Sequence, residues 1–244
     1  MSPAEQHRRR VTLARALSKS GWTSRSLAEE LIAQGRVRLN GRVARSSTLW
    51  VDPLRDRIEV DGEQLRKRSR LYLAMNKPAG VVTTREDECG RSTVYHYLPE
   101  DVGWLFPVGR LDKETSGLLL FTNDTRFGEQ VTSPLSKIPK TYAVRLNRPL
   151  SEHDRARLHL PLRLDDGTTF LPAKIASLPT DKTSCKITLC EGKNREVRRT
   201  FEFLGYKVVA LQRVSIGSLR IGRLKEGQVR RLSEQDIRRI LRRT

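Results

Sequence analysis

The strongest constraint on this chain is the apolar run Leu118-Leu119-Leu120-Phe121. It is entered directly from the polar stretch Gly109-Arg110-Leu111-Asp112-Lys113-Glu114-Thr115-Ser116-Gly117 and followed by Thr122-Asn123-Asp124. Four consecutive apolar residues bounded by turn-forming ones read as a buried strand. The stretch before it is a short polar loop that places a carboxylate, Asp112, close to an arginine. A loop residue held by a rigid strand is where catalytic groups tend to sit.

With 244 residues, 37% hydrophobic and 31% charged, the chain is long enough for one or two domains with a real core. No apolar run approaches the ~20 residues of a membrane helix, so a soluble protein is expected. Met1–Arg10 has charge but no apolar segment after it, which predicts no secretory signal and a cytoplasmic protein. Cys89, Cys185 and Cys190 form no CxxC pair, and His7, His96, His153 and His159 are scattered, so neither a disulfide framework nor a metal site is expected. The net charge of +19 is unevenly spread: +8 over residues 1–70, +1 over 71–185 and +10 over 186–244. Two basic ends around a neutral middle point to a polyanionic partner, nucleic acid above all, because each neutralised phosphate releases counterions. A solvated basic surface is the plainer alternative.

Residues 9–64 read as a small separate unit. Val11, Leu13, Ala14 and Leu17 have approximate helical spacing, and Gly21 breaks it. Ser24 is positioned to cap a second helix carrying Leu27, Leu31 and Ile32, which Gly35 ends. Val37-Arg38-Leu39, the turn dipeptide Asn40-Gly41 and Arg42-Val43 then form a hairpin signal. Arg57-Ile58-Glu59-Val60 alternates as a strand and stops at Asp61-Gly62. Two small helices with a compact strand layer, together with Gly35-Arg36-Val37 and Asp56 to Gly62, resemble the S4-type RNA-binding domain. Gln64 to Arg70 reads as a polar linker. Strands are expected at 71–75, 117–123, 141–147, 184–190 and 207–221, and helices at 125–132, 151–158, 194–204 and 233–242. Their alternation lacks the rhythm of a doubly wound fold, so the expected class is α+β, with a larger second domain at 71–240 built on a mixed, mainly antiparallel sheet.

Three places could carry chemistry. Asp112 is either a catalytic carboxylate or a surface aspartate capping a turn through Thr115 and Ser116. Tyr142 lies in the expected strand Lys140-Thr141-Tyr142-Ala143-Val144, where packing is the ordinary role of a tyrosine. In Glu191-Gly192-Lys193-Asn194-Arg195-Glu196-Val197-Arg198-Arg199, Asn194 can cap the following helix. Val197, Phe201 and Leu204 form that helix's apolar stripe, and Arg195, Arg198, Arg199 and Glu202 share the adjacent face. That face is either solvated or holds an arginine for a carboxylate with neighbours facing phosphates.

Taken together, these words are similar to those of the RsuA-like family of ribosomal RNA pseudouridine synthases, over nearly the whole chain. Asn76-Lys77-Pro78-Ala79-Gly80 resembles that family's first motif, Gly109 to Asp124 its second, Lys140-Thr141-Tyr142 its tyrosine motif and Lys193 to Arg199 its third. The resemblance implies that Asp112 is the essential catalyst, that Tyr142 stacks on the reacting uracil and that Arg198 pairs with Asp112. It also implies that Arg110 helps displace the target base. Lys193, Arg195 and Arg199 are then expected to meet RNA, as are Arg25 and Arg36 in the N-terminal unit. The reaction it implies detaches uracil from sugar carbon 1, turns it and rejoins it through carbon 5. No atom is gained, so no cofactor and no metal are expected. The base must be extruded first, and a nearby arginine would keep the aspartate ionised. The expected partner is ribosomal RNA or an assembling ribosomal subunit, met by a monomer with no membrane involvement. The rival from another class is a catalytically silent RNA-binding or ribosome-assembly factor, which would be expected to have lost Asp112, Tyr142 or Arg198. A DNA-binding helix pair at 11–34 fits less well, because of the hairpin after it.

Overall fold

A computed structural model describes residues 10–66, 69–178 and 181–242. The chain divides into two compact units: Met1–Leu71 with Glu100–Phe106 and Thr122–Thr125, and Tyr72–Pro99 with Pro107–Phe121 and Arg126–Thr244.

In the first unit, β1 (Val11–Thr12) leads into α1 (Leu13–Lys19), and Gly21 turns the chain toward α2 (Arg25–Ala33). The Ser24 hydroxyl caps α2, accepting the Leu27 N–H at 3.0 Å. A four-stranded sheet follows in the order β3 (Arg42–Val43), β2 (Val37–Leu39), β5 (Ile58–Val60), β6 (Glu63–Gln64). The Asn40-Gly41 turn has φ of 51° and 82°, the left-handed pair that a two-residue hairpin with right-twisted strands requires. Leu13, Leu17, Ala28, Ile32, Val37, Val51, Ile58 and Val60 make the core.

Two expectations are corrected here. Val11 is not helical: it pairs with Val51 of β4 (Trp50–Val51), an edge partner that spacing within one segment cannot reveal. Leu27 is exposed, because Ala28, Leu31 and Ile32 already fill the inner face of α2. Of the expected linker, Gln64 belongs to β6, while Lys67 and Arg68 lie outside the described residues.

The second unit carries a nine-stranded sheet. Its strands are β7 (Tyr72–Lys77), β8 (Phe106–Pro107), β9 (Thr115–Thr122), β10 (Lys140–Leu146), β13 (Lys174–Leu178), β14 (Asp181–Leu189), β15 (Val208–Ile216), β16 (Leu219–Arg220) and β17 (Val229–Arg231). The main order is β13-β14-β10-β15-β9-β7-β17, with β8 paired to β9 and β16 to β15. The β15–β9 pair is parallel, whereas β13–β14, β14–β10, β10–β15 and β7–β17 are antiparallel. A separate two-stranded ribbon joins β11 (Leu162–Arg163) to β12 (Thr169–Phe170). The helices are α3 (Thr125–Thr132), α4 (Glu152–Arg157), α5 (Glu196–Phe203) and α6 (Glu234–Leu241). The expected class, α+β with a small N-terminal domain and a larger, mainly antiparallel sheet domain, is the observed one. The single strand expected at 207–221 is instead a hairpin of β15 and β16 turning at Gly217-Ser218. No helix of the described residues is long and apolar enough to cross a membrane.

The parallel β9–β15 seam depends on one glycine. Gly117 has φ of 107°, and a Cβ there would meet the Arg213 carbonyl oxygen at 2.3 Å. Only glycine fits, and the close approach brings the Asp112 loop onto the strand that carries Arg213.

Candidate active site

Asp112 sits in the loop that feeds β9. Its turn is closed by backbone, the Thr115 N–H donating to the Asp112 carbonyl at 3.0 Å, so the carboxylate is not spent on capping. The loop is fastened from beneath by the end of β7. Lys77 is fully buried, and its ammonium donates to the carbonyls of Pro78 (2.8 Å), Thr115 (2.8 Å) and Lys113 (3.3 Å). The Gly80 N–H also donates to the Lys113 carbonyl, at 2.8 Å, and the Thr83 hydroxyl donates to the Leu111 carbonyl at 2.8 Å. Burial pulls the Lys77 ammonium down to about 8, against the attraction of Asp112, Glu114 and Glu226. It is still charged at neutral pH. The Asn76 to Gly80 motif implied no role for Lys77; a lysine at the end of a strand that runs through Leu73-Ala74-Met75 is the available signal.

Asp112 opens onto a cavity of about 240 Å³. Its walls include Arg110, Lys140, Tyr142, Arg195, Arg198 and Arg213, contributed by the loop, by β10 and β15, and by the start of α5. Tyr142 is half-buried and faces Arg213 across the β10–β15 ladder. The apolar stripe of α5, Val197, Phe201 and Leu204, packs with Val144, Leu146 and Leu211 of the sheet, so the first turn of the helix hangs over the cavity rim. Among the expected site residues, Asp112, Tyr142, Arg198, Arg110, Lys193 and Arg195 line this one cavity. Arg199 does not line it, and Arg25 and Arg36 belong to the other unit.

The expected pairing of Arg198 with Asp112 is corrected. Arg198 is buried, and its guanidinium donates to the carbonyls of Val208 and Glu114, both at 3.3 Å. Arg195 is the arginine beside Asp112, at 3.9 Å, and it also lies 3.7 Å from Glu114. The reason lies at the helix start. Arg195, not Asn194, is the N-cap residue, in the left-handed conformation (φ 48°) with no side-chain cap, and its side chain is free to reach over the rim. The other expected phosphate contacts are engaged internally. Arg199 pairs with Asp166, bonds the Thr168 hydroxyl and lies 5.3 Å from the centre of the Phe170 ring. Lys193 pairs with Glu191 at 3.0 Å. Arg36 makes a two-pronged pair with Asp61 (2.9 and 2.6 Å), and Arg25 reaches Glu29 at 3.3 Å.

Glu191 and Glu196, also unassigned by sequence reading, form a buried carboxyl pair on the cavity wall. Burial and the neighbouring Glu191 push Glu196 up to about 8, although the Lys193 N–H donates to it at 3.0 Å. Burial also raises Glu191, but the Leu171 N–H and Lys193 outweigh it and leave this carboxyl below its usual value. The pair therefore holds one proton. Because the folded chain keeps a proton on Glu196 that the unfolded chain releases near pH 4.5, its contribution to stability is complete below that pH. It is lost progressively as pH rises to about 8. Glu196→Gln, which mimics the protonated acid, is expected to hold its Tm better than wild type between pH 5 and pH 8.5. A gap opening by at least about 2–4 °C, roughly 1 kcal/mol for a chain of this size, is the expected result. Parallel melting curves at every pH would show that Glu196 is ionised in the fold.

A carboxylate in a fastened loop, a tyrosine ring and several cations around one cavity describe a site for a polar, anionic substrate bearing a flat ring. The family model for RNA pseudouridylate synthase matches residues 71–203, and that for the S4 domain matches residues 12–49. The chain belongs to the RNA pseudouridylate synthase family and is an enzyme of that class, an isomerase. It is 34% identical over 232 residues, 93% of this chain and 94% of the relative, to the ribosomal large subunit pseudouridine synthase B of Bacillus subtilis. It is 36% identical over 245 residues, 97% of this chain and 96% of the relative, to an RNA pseudouridine synthase of Mycobacterium tuberculosis. A crystal structure of a pseudouridylate synthase superposes with a TM-score of 0.70 at 31% identity, covering 94% of this chain and 99% of that one.

Proposed function

We propose that this enzyme converts a uridine of large-subunit ribosomal RNA to pseudouridine, with Asp112 as its catalytic carboxylate. The observation that carries the reading is Asp112 itself: a carboxylate left free by its own turn, in a loop fastened by the Lys77 ammonium at the Lys113 and Thr115 carbonyls, and facing a cavity walled by Tyr142. The Asp112 carboxylate acts on the ribose of the extruded nucleotide, as nucleophile or as base. The Tyr142 ring stacks on the detached uracil. Arg195 stands beside the carboxylate at 3.9 Å, and Arg198 positions the loop through the Glu114 carbonyl. Arg110, exposed at the rim, stands where the target base leaves its stack. The choice of large-subunit RNA is supported by what the Bacillus subtilis relative is named for.

The S4-type domain at 9–64 and the basic end after residue 186 grip the surrounding RNA by charge, and the catalytic domain spans 71–240. The enzyme works as a monomer in the cytoplasm, on free ribosomal RNA or on an assembling subunit, without a cofactor. Mapping pseudouridines in ribosomal RNA from a strain lacking the gene tests the proposal. At least one large-subunit pseudouridine is expected to disappear and to return with wild type but not with Asp112→Asn. An unchanged map in both subunits would refute the ribosomal substrate.

A further inference from the structure

Two buried cations on the cavity wall have no part in the scheme above. Lys140 and Arg213 come from neighbouring strands: Arg213 stands opposite Tyr142 in the β10–β15 register, and Lys140 is two residues before Tyr142. Alternation along a strand puts Lys140 on the face of Tyr142, and the cross-strand partner Arg213 shares that face. All three line the cavity. Lys140 is 8% exposed and Arg213 5%. Arg213 is fixed by its Nε, which donates to the Leu118 carbonyl at 2.7 Å, but its terminal Nη2 is buried without a hydrogen-bond partner. Among the described residues, the Lys140 ammonium has no carboxylate within salt-bridge distance and no hydrogen bond.

Among the described residues, no carboxylate forms an ion pair with either. Burial lowers Lys140 and the adjacent charge of Arg213 lowers it further, outweighing Cys190 and Glu196, which act the other way; Glu196, the carboxyl on the same wall, is itself held protonated at neutral pH by its own burial. Two like charges buried side by side with donors unspent oppose folding. They are the converse of a ligand that brings acceptors.

We propose that Lys140 and Arg213 donate hydrogen bonds to the carbonyl oxygens of the uracil that enters the cavity and stabilise the anion it becomes when its bond to carbon 1 of the sugar breaks. The proposal rests on the pseudouridine chemistry above. When the N1–carbon 1 bond breaks, its electron pair stays with the ring and spreads from N1 to the two carbonyl oxygens. This holds whether the Asp112 oxygen bonds to carbon 1 or takes a proton from carbon 2 of the sugar. The ring then turns and carbon 5 bonds to carbon 1, as the Asp112 ester bond to carbon 1 breaks on the first route or Asp112 returns its proton to carbon 2 on the second; the carbon 5 proton leaves and N1 gains a proton, so the sum is an isomerisation. Donors set where charge develops act on the transition state more than on the ground state. The same donors discriminate against cytosine, whose exocyclic amino group would meet a cation with an N–H and leave both unpaired.

The test compares wild type, Lys140→Met and Arg213→Lys on large-subunit ribosomal RNA transcribed with uridine, 2-thiouridine or 4-thiouridine. Sulfur accepts hydrogen bonds poorly, so it weakens the contact at the oxygen it replaces. Single-turnover rates are read by chromatography of nucleoside digests, beside RNA binding and Tm. Lys140→Met is expected to lose ~10²–10³-fold in rate, with RNA binding unchanged and a Tm no lower than wild type. Arg213→Lys, which keeps the charge but not the fork, is expected to lose less. One of the two thio-RNAs should slow wild type about tenfold or more, while leaving Lys140→Met nearly as it was, since the contact is already gone. Wild-type rates for Lys140→Met, or an equal slowing of wild type and variant by both thio-RNAs, would overturn the proposal. A wild type inert on all three transcripts would instead strike the ribosomal RNA assignment.

Discussion

Asp112→Asn is expected to lower pseudouridine formation by ~10⁴-fold or more, the loss typical of removing a group that acts directly on the reacting bond. Size and shape are kept, while the charge and the nucleophilic character go. The fold should survive, because the loop is held by the carbonyls of Leu111, Lys113, Glu114 and Thr115 and not by the Asp112 carboxylate. RNA binding should be equal or slightly tighter, since one repulsion toward phosphate is removed. Release of tritium from carbon 5 of labelled uridine, run beside a binding measurement, decides the matter. Substantial release by the variant would remove Asp112 from the chemistry.

Lys77→Met is expected to have the second largest effect, through position and not through contact with substrate. Methionine fills much of the lysine's volume but leaves the carbonyls of Pro78, Lys113 and Thr115 without the donor they share. Unsatisfied buried acceptors cost ~1–3 kcal/mol each, and relaxation of an exposed loop recovers part of it, so a net loss of ~2–4 kcal/mol is expected. Relaxation is also what harms catalysis: moving Asp112 by ~1 Å is enough for ~10²-fold in rate. The two losses separate in chemical denaturation and in single-turnover assays below the melting transition. A variant destabilised as expected but turning over at the wild-type rate would show that Lys77 supports the fold and not the placement of Asp112.

Local chemistry was legible wherever one segment decides its own structure. The Asn40-Gly41 hairpin, the Ser24 cap and the apolar stripe of α5 each follow from a few neighbouring side chains. So does the buried strand after Asp112, whose four apolar residues have no other stable place. Val11 and Leu27 were misread for one reason: each was placed by spacing in its own segment, while burial was decided by β4 and by the inner face of α2. The arginines at 195 and 198 show the same limit at the site. One turn of helical spacing puts both near the loop, but which of them meets Asp112 depended on a left-handed residue at the helix start and on carbonyls that had already claimed Arg198.

By itself the sequence determined the class of fold, the two-part organisation, the basic ends and the presence of Asp112, Tyr142 and the arginine-rich helix, because periodicity, turn chemistry and charge are properties of neighbouring residues. Only the tertiary structure decided which cations are spent and which are spare. Lys77 became a clasp, Arg199 and Lys193 were taken by carboxylates, and Lys140 and Arg213 were left with donors facing a cavity. The physical reason is that a charged group's role is set by what it meets after burial. Strands 140–146 and 208–216, distant in sequence, had to pair before that environment existed.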